Sequence, residues 1–395
     1  MRYILIAYSV ATILFNNGAQ SQNLSAGLIT GYVFDDTNNN GSKEENEKGI
    51  KDAVVSNQVD VARTDERGFY TISYAPNYDI LFVSVPSGYK AKAFWRRVES
   101  PNTDGRANFA LTRMNSSTSF TFIHASDTHV SETSVDRMDK FRAIVDSVKP
   151  SLVLITGDLV RDALRVTDTV ATRLYQLFKQ QVERINFPVW PSIGNHEIFG
   201  IERHLSLVSD KHPLYGFKMY MHYLGPDYYS FNYGGVHFVS LNSLEFEDLW
   251  YYGRIDSVQL EWLKKDVALV PPATPIVTFQ HIPLYSGGFT LLGFQEDGPG
   301  KSLVREHGVL QYRHVVSNAR AVLAILQSHN YPLALAGHYH FQSKFSLEGC
   351  ATRFEQTAAV VAPANDGVFN LPSGVTVYHV KDGKIDDGKF VRLDK

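Results

Sequence analysis

The sequence predicts an α/β fold preceded by a small all-β sandwich, and three observations predict it. Residues 27 to 113 alternate short apolar runs with turn-forming clusters. From Phe120 onward, strand-like apolar runs alternate with segments of helical spacing. Most of the chemistry-bearing Asp, Asn and His motifs come directly after one of those runs, where open α/β sheets place their sites. The 395 residues suit two or three domains and a large core.

In the first region, Leu28 to Phe34, Tyr70 to Ser73 and Ile80 to Val85 read as strands. Asn38-Asn39-Asn40-Gly41, Asp65-Glu66-Arg67-Gly68 and Pro86-Ser87-Gly88 supply the turns between them. The stretch Thr64-Asp65-Glu66-Arg67-Gly68-Phe69-Tyr70 resembles prealbumin-like and surface-adhesin repeat domains. Met114 to Ser119 is short and polar and reads as a linker, so the second domain is expected over 120–395.

In the second region the expected elements come in order. Strands are predicted at Phe120 to Ala125, Leu152 to Thr156, Pro188 to Ile193, Pro275 to Gln280 and Leu333 to Ala336. Helices are predicted at Val135 to Val148, Leu164 to Ile185, Ser257 to Leu269 and Ala319 to Ser328. Tyr228 to Tyr233 and Val236 to Leu241 read as a hairpin around Gly234-Gly235, and Val375 to Val380 with Phe390 to Leu393 close the fold.

Composition narrows the function classes. Hydrophobic residues make up 44%, charged residues 20%, and the formal net charge is −3 with no long basic run. Bulk electrostatic binding of a nucleic-acid duplex is therefore not expected. Arg2 followed by the apolar stretch Tyr3 to Phe15, with Ala19-Gln20-Ser21 as small residues, reads as a signal peptide over 1–21. That stretch is short of a bilayer span. The one cysteine, Cys350, permits no intrachain disulfide and reads as a packing residue. A periplasmic or secreted protein is the expectation.

Five motifs carry chemistry: Asp127-Thr128-His129, Gly157-Asp158, Gly194-Asn195-His196-Glu197, His281 and Gly337-His338-Tyr339-His340. Their oxygen and nitrogen side chains suit a mixed O/N site for Zn, Fe or Mn. In Asp127-x-His129 and His338-x-His340, alternation at a strand end is expected to aim both members of each pair to one side.

Read together, the motifs resemble those of the calcineurin-like metallophosphoesterase superfamily over the last two-thirds of the chain. The resemblance implies a two-sheet sandwich flanked by helices, a two-metal site and a phosphoester substrate. It implies one metal on Asp127, His129, Asp158 and His340. The other would sit on Asp158, Asn195, His281 and His338, with Asp158 shared. A water held between two such metals is acidified toward neutrality and serves as nucleophile. His196, beside ligand Asn195 but outside the set, is expected to protonate the leaving oxygen or stabilise phosphoryl charge. Asp158, Asn195 and His196 are thus the expected catalytic group.

Glu197 is expected to orient the histidine or its loop or to contact substrate, and Tyr285, Tyr339 and Arg161 to line the substrate pocket. Arg161 also stands where purple acid phosphatases carry an iron-binding tyrosine, and His129 completes a pair those enzymes tend to lack. Phosphodiesters are therefore expected over monoesters. A phosphomonoesterase is the alternative within enzymes; a non-catalytic metal-containing surface or glycan-binding protein is the alternative of another class. For the latter, Phe94-Trp95 is the one aromatic pair in the first domain that reads as a binding platform.

The segment Asp36 to Glu47 fits an Asp-x-Asn-x-Asn-Gly-x5-Glu calcium loop, with Asp36, Asn38, Asn40 and Glu47 as oxygen donors. The first domain contributes no catalytic motif, so it is expected to be dispensable for chemistry.

Overall fold

The computed structural model describes residues 27–98, 100, 106–298, 300–365 and 370–394. The signal-peptide segment lies outside the described residues.

The first domain is a pair of four-stranded sheets. Leu28–Asp35 sits between Phe69–Ser73, antiparallel, and Phe109–Arg113, parallel, with Tyr89–Ala91 beyond the latter. The other sheet orders Val61–Arg63, Val54–Ser56, Ile80–Ser84 and Trp95–Arg97. The three strands expected from sequence are present. The others escape a periodicity reading because most are three residues long, too short for an alternation to show.

The second domain packs two six-stranded sheets face to face. One runs Val189–Ser192, Leu152–Thr156, Ser119–Ala125, Gly374–Lys381 and Lys384–Ile385, with Lys389–Arg392 also on Gly374–Lys381. The other runs Tyr229–Tyr233, Val236–Ser240, Ile276–Phe279, Leu333–Ala336, Arg353–Gln356 and Ser343–Phe345. Their inner faces meet through aromatic rings: Phe122 lies edge-on to Phe238 at 5.8 Å, and Trp190 stacks on Phe231 at 3.9 Å. Parallel strands buried on both faces read as continuous apolar runs, which is why Leu152–Thr156, Ile276–Phe279 and Leu333–Ala336 were legible.

Helix Val135–Val148 matches its expected bounds. The next helix begins at Asp168, not Leu164. Residues 163 and 164 are held elsewhere: Ala163 N–H donates to the His196 carbonyl at 2.8 Å, and Glu202 N–H to the Leu164 carbonyl at 3.2 Å. The loop therefore braces the metal motifs before the helix starts.

The two domains share a core, so the first braces the fold of the second even though it contributes no catalytic motif. Ile80–Ser84 is buried throughout and lies along Tyr229–Tyr233, where Asn232 N–H donates to the Val85 carbonyl at 2.8 Å. Trp262, fully buried, meets Phe82 at 6.3 Å and donates from Nε1 to Ser56 Oγ at 3.0 Å. Tyr228 Oη donates to the Gln58 carbonyl at 2.6 Å. Phe94 packs on Trp190 and Tyr229 at 5.0 and 5.2 Å, and Trp95 lies over Gly225, where a Cβ has no room. These two aromatics are interface residues and form no binding platform.

Candidate metal centre

All five motifs fall just past the C-terminal ends of parallel strands, and the packing of the two sheets brings those ends together. Asp127, His129, Asp158 and His340 form one convergent group; Asp158, His281 and His338 form a second. Asn195 joins the second group, with Oδ1 at 3.0 Å from His281 Nε2.

The backbone explains how the pairs converge, and it is not strand alternation. Asp127, His129, Asp158, His338 and His340 all have left-handed φ, between 39° and 74°. Each such non-glycine residue costs on the order of 1 kcal/mol or more. The expected period-two geometry is therefore replaced by successive left-handed turns, which curl the loop so that its side chains face inward. Gly157, also left-handed at φ 75°, has its Cα against the ring of His281, leaving no space for a side chain.

Asp158 lies between the two groups. Oδ1 is 3.2 Å from His281 Nε2 and accepts from His196 N–H at 2.9 Å; Oδ2 is 3.5 Å from His129 Nε2. One carboxylate thus offers an oxygen to each side. Despite full burial, His281, His196 and His129 hold its pKa well below the usual carboxylate value. Burial likewise opposes ionisation of Asp127, but His340 and His281 overcome it and lower its pKa. Burial keeps His129 neutral, down to about 4, and holds His338 well below its usual value. Neutral imidazoles are the ligand form.

The donor set fits metal ions. Asp127 Oδ1 is buried and 3.1 Å from His340 Nε2, yet has no hydrogen-bond partner of acceptable geometry among the described residues. His129 Nε2 and His340 Nε2 lie 3.3 Å apart. Lone-pair atoms crowded this way, with the nearest carboxylate oxygen unpartnered, are arranged around a common cation. The site carries two carboxylates, four histidines and one amide oxygen, a mixed set suited to Zn, Fe or Mn.

The residues around the ligands sort differently from the sequence reading. Glu197 is fully buried. Oε1 accepts from Leu159 and Val160 N–H at 2.8 and 2.9 Å, and Oε2 from Gly194 N–H at 2.8 Å. It ties the Gly157-Asp158 loop to the Gly194-Asn195 loop, and with no exposed surface it is not a substrate contact. Burial and then Asp158 push its pKa up to about 8, against the pull of those N–H donors.

Tyr285 does not face the metals. It lines a separate cavity of about 570 Å³ with Arg320, His329, Tyr331 and Cys350. Tyr339 does flank the ligands: its ring lies 5.4 Å from His338, and its Oη is buried without a hydrogen-bond partner among the described residues. Arg161 lines a cavity of about 520 Å³ beside His129 and His340. Its carbonyl faces His196 Nδ1 at 2.6 Å.

Sequence reasoning missed His314. It is 2.7 Å from His338 through its Nδ1 and stacks on that ring at 5.0 Å. Nothing in its local spacing marks it, because its partner is 24 residues away.

In the calcium-loop segment, Asp36 Oδ2 accepts from Gly41 N–H at 2.8 Å and Asn40 Oδ1 from Ser42 N–H at 2.7 Å. Glu47 accepts from Thr37 and Glu44 N–H, both at 3.1 Å, and Asn38 Oδ1 from Asn40 N–H at the same distance. The four expected donors therefore share one loop.

Among the described residues no helix is long and apolar enough to cross a membrane. A family model described as calcineurin-like phosphoesterase matches residues 120–342, more than half of the chain. One described as the N terminal of calcineurin-like phosphoesterase matches residues 37–114. Among solved structures the chain is similar to a dimetal phosphatase from Danio rerio, at 15% identity and TM-score 0.46 over 70% of this chain and 97% of that one. It is also similar to purple acid phosphatase PPD1 from yellow lupin (Lupinus luteus) seeds, at 15% identity and TM-score 0.45 over 89% of this chain and 67% of that one. No curated protein sequence matches the chain. The family model spans every ligand drawn together at the strand ends, so the chain belongs to the calcineurin-like phosphoesterase family and is a metal-dependent phosphoric ester hydrolase.

Proposed function

We propose that this hydrolase acts on small phosphodiesters in the bacterial envelope or outside the cell, with His196 protonating the leaving oxygen. The placement of His196 carries the reading. Its Nδ1–H donates to the Arg161 carbonyl at 2.6 Å, which aims Nε2 at the cluster, 3.8 Å from Asp158 Oδ2. The ring sits edge-on to His129 at 4.6 Å and is partly open to solvent. It belongs to neither ligand group, so with both ring nitrogens protonated its Nε2–H is free to pass to an ester oxygen held there, leaving the neutral Nδ1–H ring on the Arg161 carbonyl.

Asp127, His129, Asp158 and His340 would hold one metal, and Asp158, Asn195, His281 and His338 the other. A metal pair in that position draws charge from phosphoryl oxygens and acidifies a water. Asp127, Asp158 and Asn195 add two negative charges in all, leaving the loaded site net positive toward an anionic ester.

The diester preference is supported by how the nearby arginines are used. Arg137 is engaged by the Val360 carbonyl, Asp394 and Ser373, and Arg165 by Asp162 and Glu202. Arg161 lines the cavity without an ion-pair partner among the described residues. A diester monoanion needs less cationic help than a monoester dianion. Paired aryl mono- and diesters, assayed on metal-reconstituted protein, test this: the diester should be cleaved at least as fast. A monoester preference of about a hundredfold, or ~2.7 kcal/mol in barrier, moves the protein to the phosphomonoesterase reading.

The envelope location rests on the Met1 to Ser21 segment, and a mature protein whose sequence begins after Ser21 is the expected finding. Weak calcium binding by Asp36, Asn38, Asn40 and Glu47 is a further part of the proposal. Calorimetric titration of the wild-type protein against an Asp36→Ala variant checks it.

A further inference from the structure

We infer that His314 is a positioning residue for the second metal, fixing through one hydrogen bond which nitrogen His338 presents to it. The inference rests on the two-metal reading of the site and is independent of the ester class.

A hydrogen bond between two neutral imidazoles needs one ring as donor and the other as acceptor. His338 turns Nδ1 toward His281 Nε2, at 3.1 Å, where the ligand atoms of the second group converge. Nδ1 must therefore carry the lone pair, and Nε2 the proton. That Nε2–H points at His314 Nδ1, 2.7 Å away. His314 must then accept at Nδ1 and keep its own proton on Nε2. The Lys301 carbonyl lies beside the same ring and favours a protonated nitrogen there. The Lys301 carbonyl is itself anchored, accepting from Arg313 Nη1 at 3.1 Å. Arg313 in turn lies over the Tyr251 ring at 4.3 Å.

The result is a directional chain running from His314 to the metal-facing atom of His338. Its consequence is physical. With His314 in place, the alternative tautomer of His338 would set two proton-free nitrogens against each other and present N–H to the metal. The chain removes that state and locks the ring's rotation. A neutral histidine does this without adding negative charge; a carboxylate in the same position would lower the net charge the site offers to a phosphate.

Chelator-stripped wild-type, His314→Leu and His314→Gln proteins would be titrated with cobalt(II), following the visible absorption of each bound equivalent. The leucine variant should keep one equivalent and bind the other about 10- to 100-fold more weakly, the range for lost outer contacts to a ligand. Glutamine, whose Oε1 can accept from His338, should restore most of the loss. Unchanged binding of both equivalents by the leucine variant overturns the inference. So does a folded glutamine variant no better than leucine. Failure of the wild type to bind two equivalents overturns the metal reading instead. If the leucine variant does not fold, nitrogen-15 NMR of the wild-type histidines decides: a proton on Nε2 of His338 supports the chain, and one on Nδ1 refutes it.

Discussion

His281 donates from Nδ1 to the Thr156 carbonyl at 2.8 Å, and this bond leaves Nε2 facing Asp158 Oδ1 at 3.2 Å. Burial alone would lower the ring's pKa, but the Asp158 carboxylate overrides it and raises it to about 9. In metal-free protein the charged pair therefore contributes stability that is fully present below the unfolded value of about 6.5. That stability is lost as pH rises through about 9. His340 and Glu197 are shifted in the same direction and add to the effect. The thermal midpoint of chelator-stripped protein should fall from pH 6.5 to 9. Metal binding must displace the same proton, so metal affinity should rise across that window. A stripped protein whose midpoint climbs there contradicts the assignment.

Asp158 divides its oxygens between the two ligand groups. Asp158→Asn keeps one carbonyl oxygen and replaces the other with an NH2 group that repels a cation. Metal content measured on the purified variant should drop at both positions, with activity lost on every ester tested. A variant that keeps one tightly bound metal and loses the other would show that the carboxylate is not shared.

His196→Ala should leave both metals bound and lower turnover by about two or more orders of magnitude, as expected for a lost proton donor. Near-normal turnover of metal-replete variant removes His196 from the chemistry. A loss confined to KM would make it a binding residue.

Gly157 has a left-handed φ of 75°, and a Cβ there would lie 2.6 Å from the Cβ of His281. Gly157→Ala should therefore cost about 1–2 kcal/mol in backbone strain and also displace a ligand. The expected signature is a lowered thermal midpoint together with weakened metal binding. Gly235, also left-handed, has nothing within 4 Å of its Cβ position among the described residues and serves as the control. Its alanine variant should lose stability only.

A chain truncated to begin at Ser116 should fold poorly. It would uncover Trp262, which is fully buried and donates to Ser56, and leave the buried Asp227 without its 2.8 Å hydrogen bond from Gln58. Losing the cover of one large core aromatic alone costs about 3 kcal/mol. Size-exclusion chromatography and thermal denaturation of the truncated chain check this, and a monomeric truncation with the wild-type midpoint would show that the domains are independent.

Much of the site was legible because each ligand motif is local. Asp158 follows the buried run Leu152–Thr156, His281 follows Ile276–Phe279, and His338 follows Leu333–Ala336. An apolar run closed by a polar residue carries its meaning within a few positions. The sequence neighbours of Glu197 suggest a pocket. Its carboxylate instead answers to backbone N–H groups 37 and 38 residues away. The closeness of Tyr285 to His281 in sequence suggests a place in the pocket. Its ring packs on Phe345 and Phe354 instead.

The sequence by itself determined the main strands and helices that carry the motifs, the seven candidate ligands and the distinct position of His196. These follow from burial patterns and residue chemistry, both local properties. Only the tertiary structure decided that left-handed turns aim the ligands, that Phe94 and Trp95 seal the two domains together, and that His314 sets the proton on His338. Those outcomes depend on which distant groups come to lie within about 3–5 Å of each other once the sheets pack, and hydrogen-bond direction is fixed only when both partners are in place.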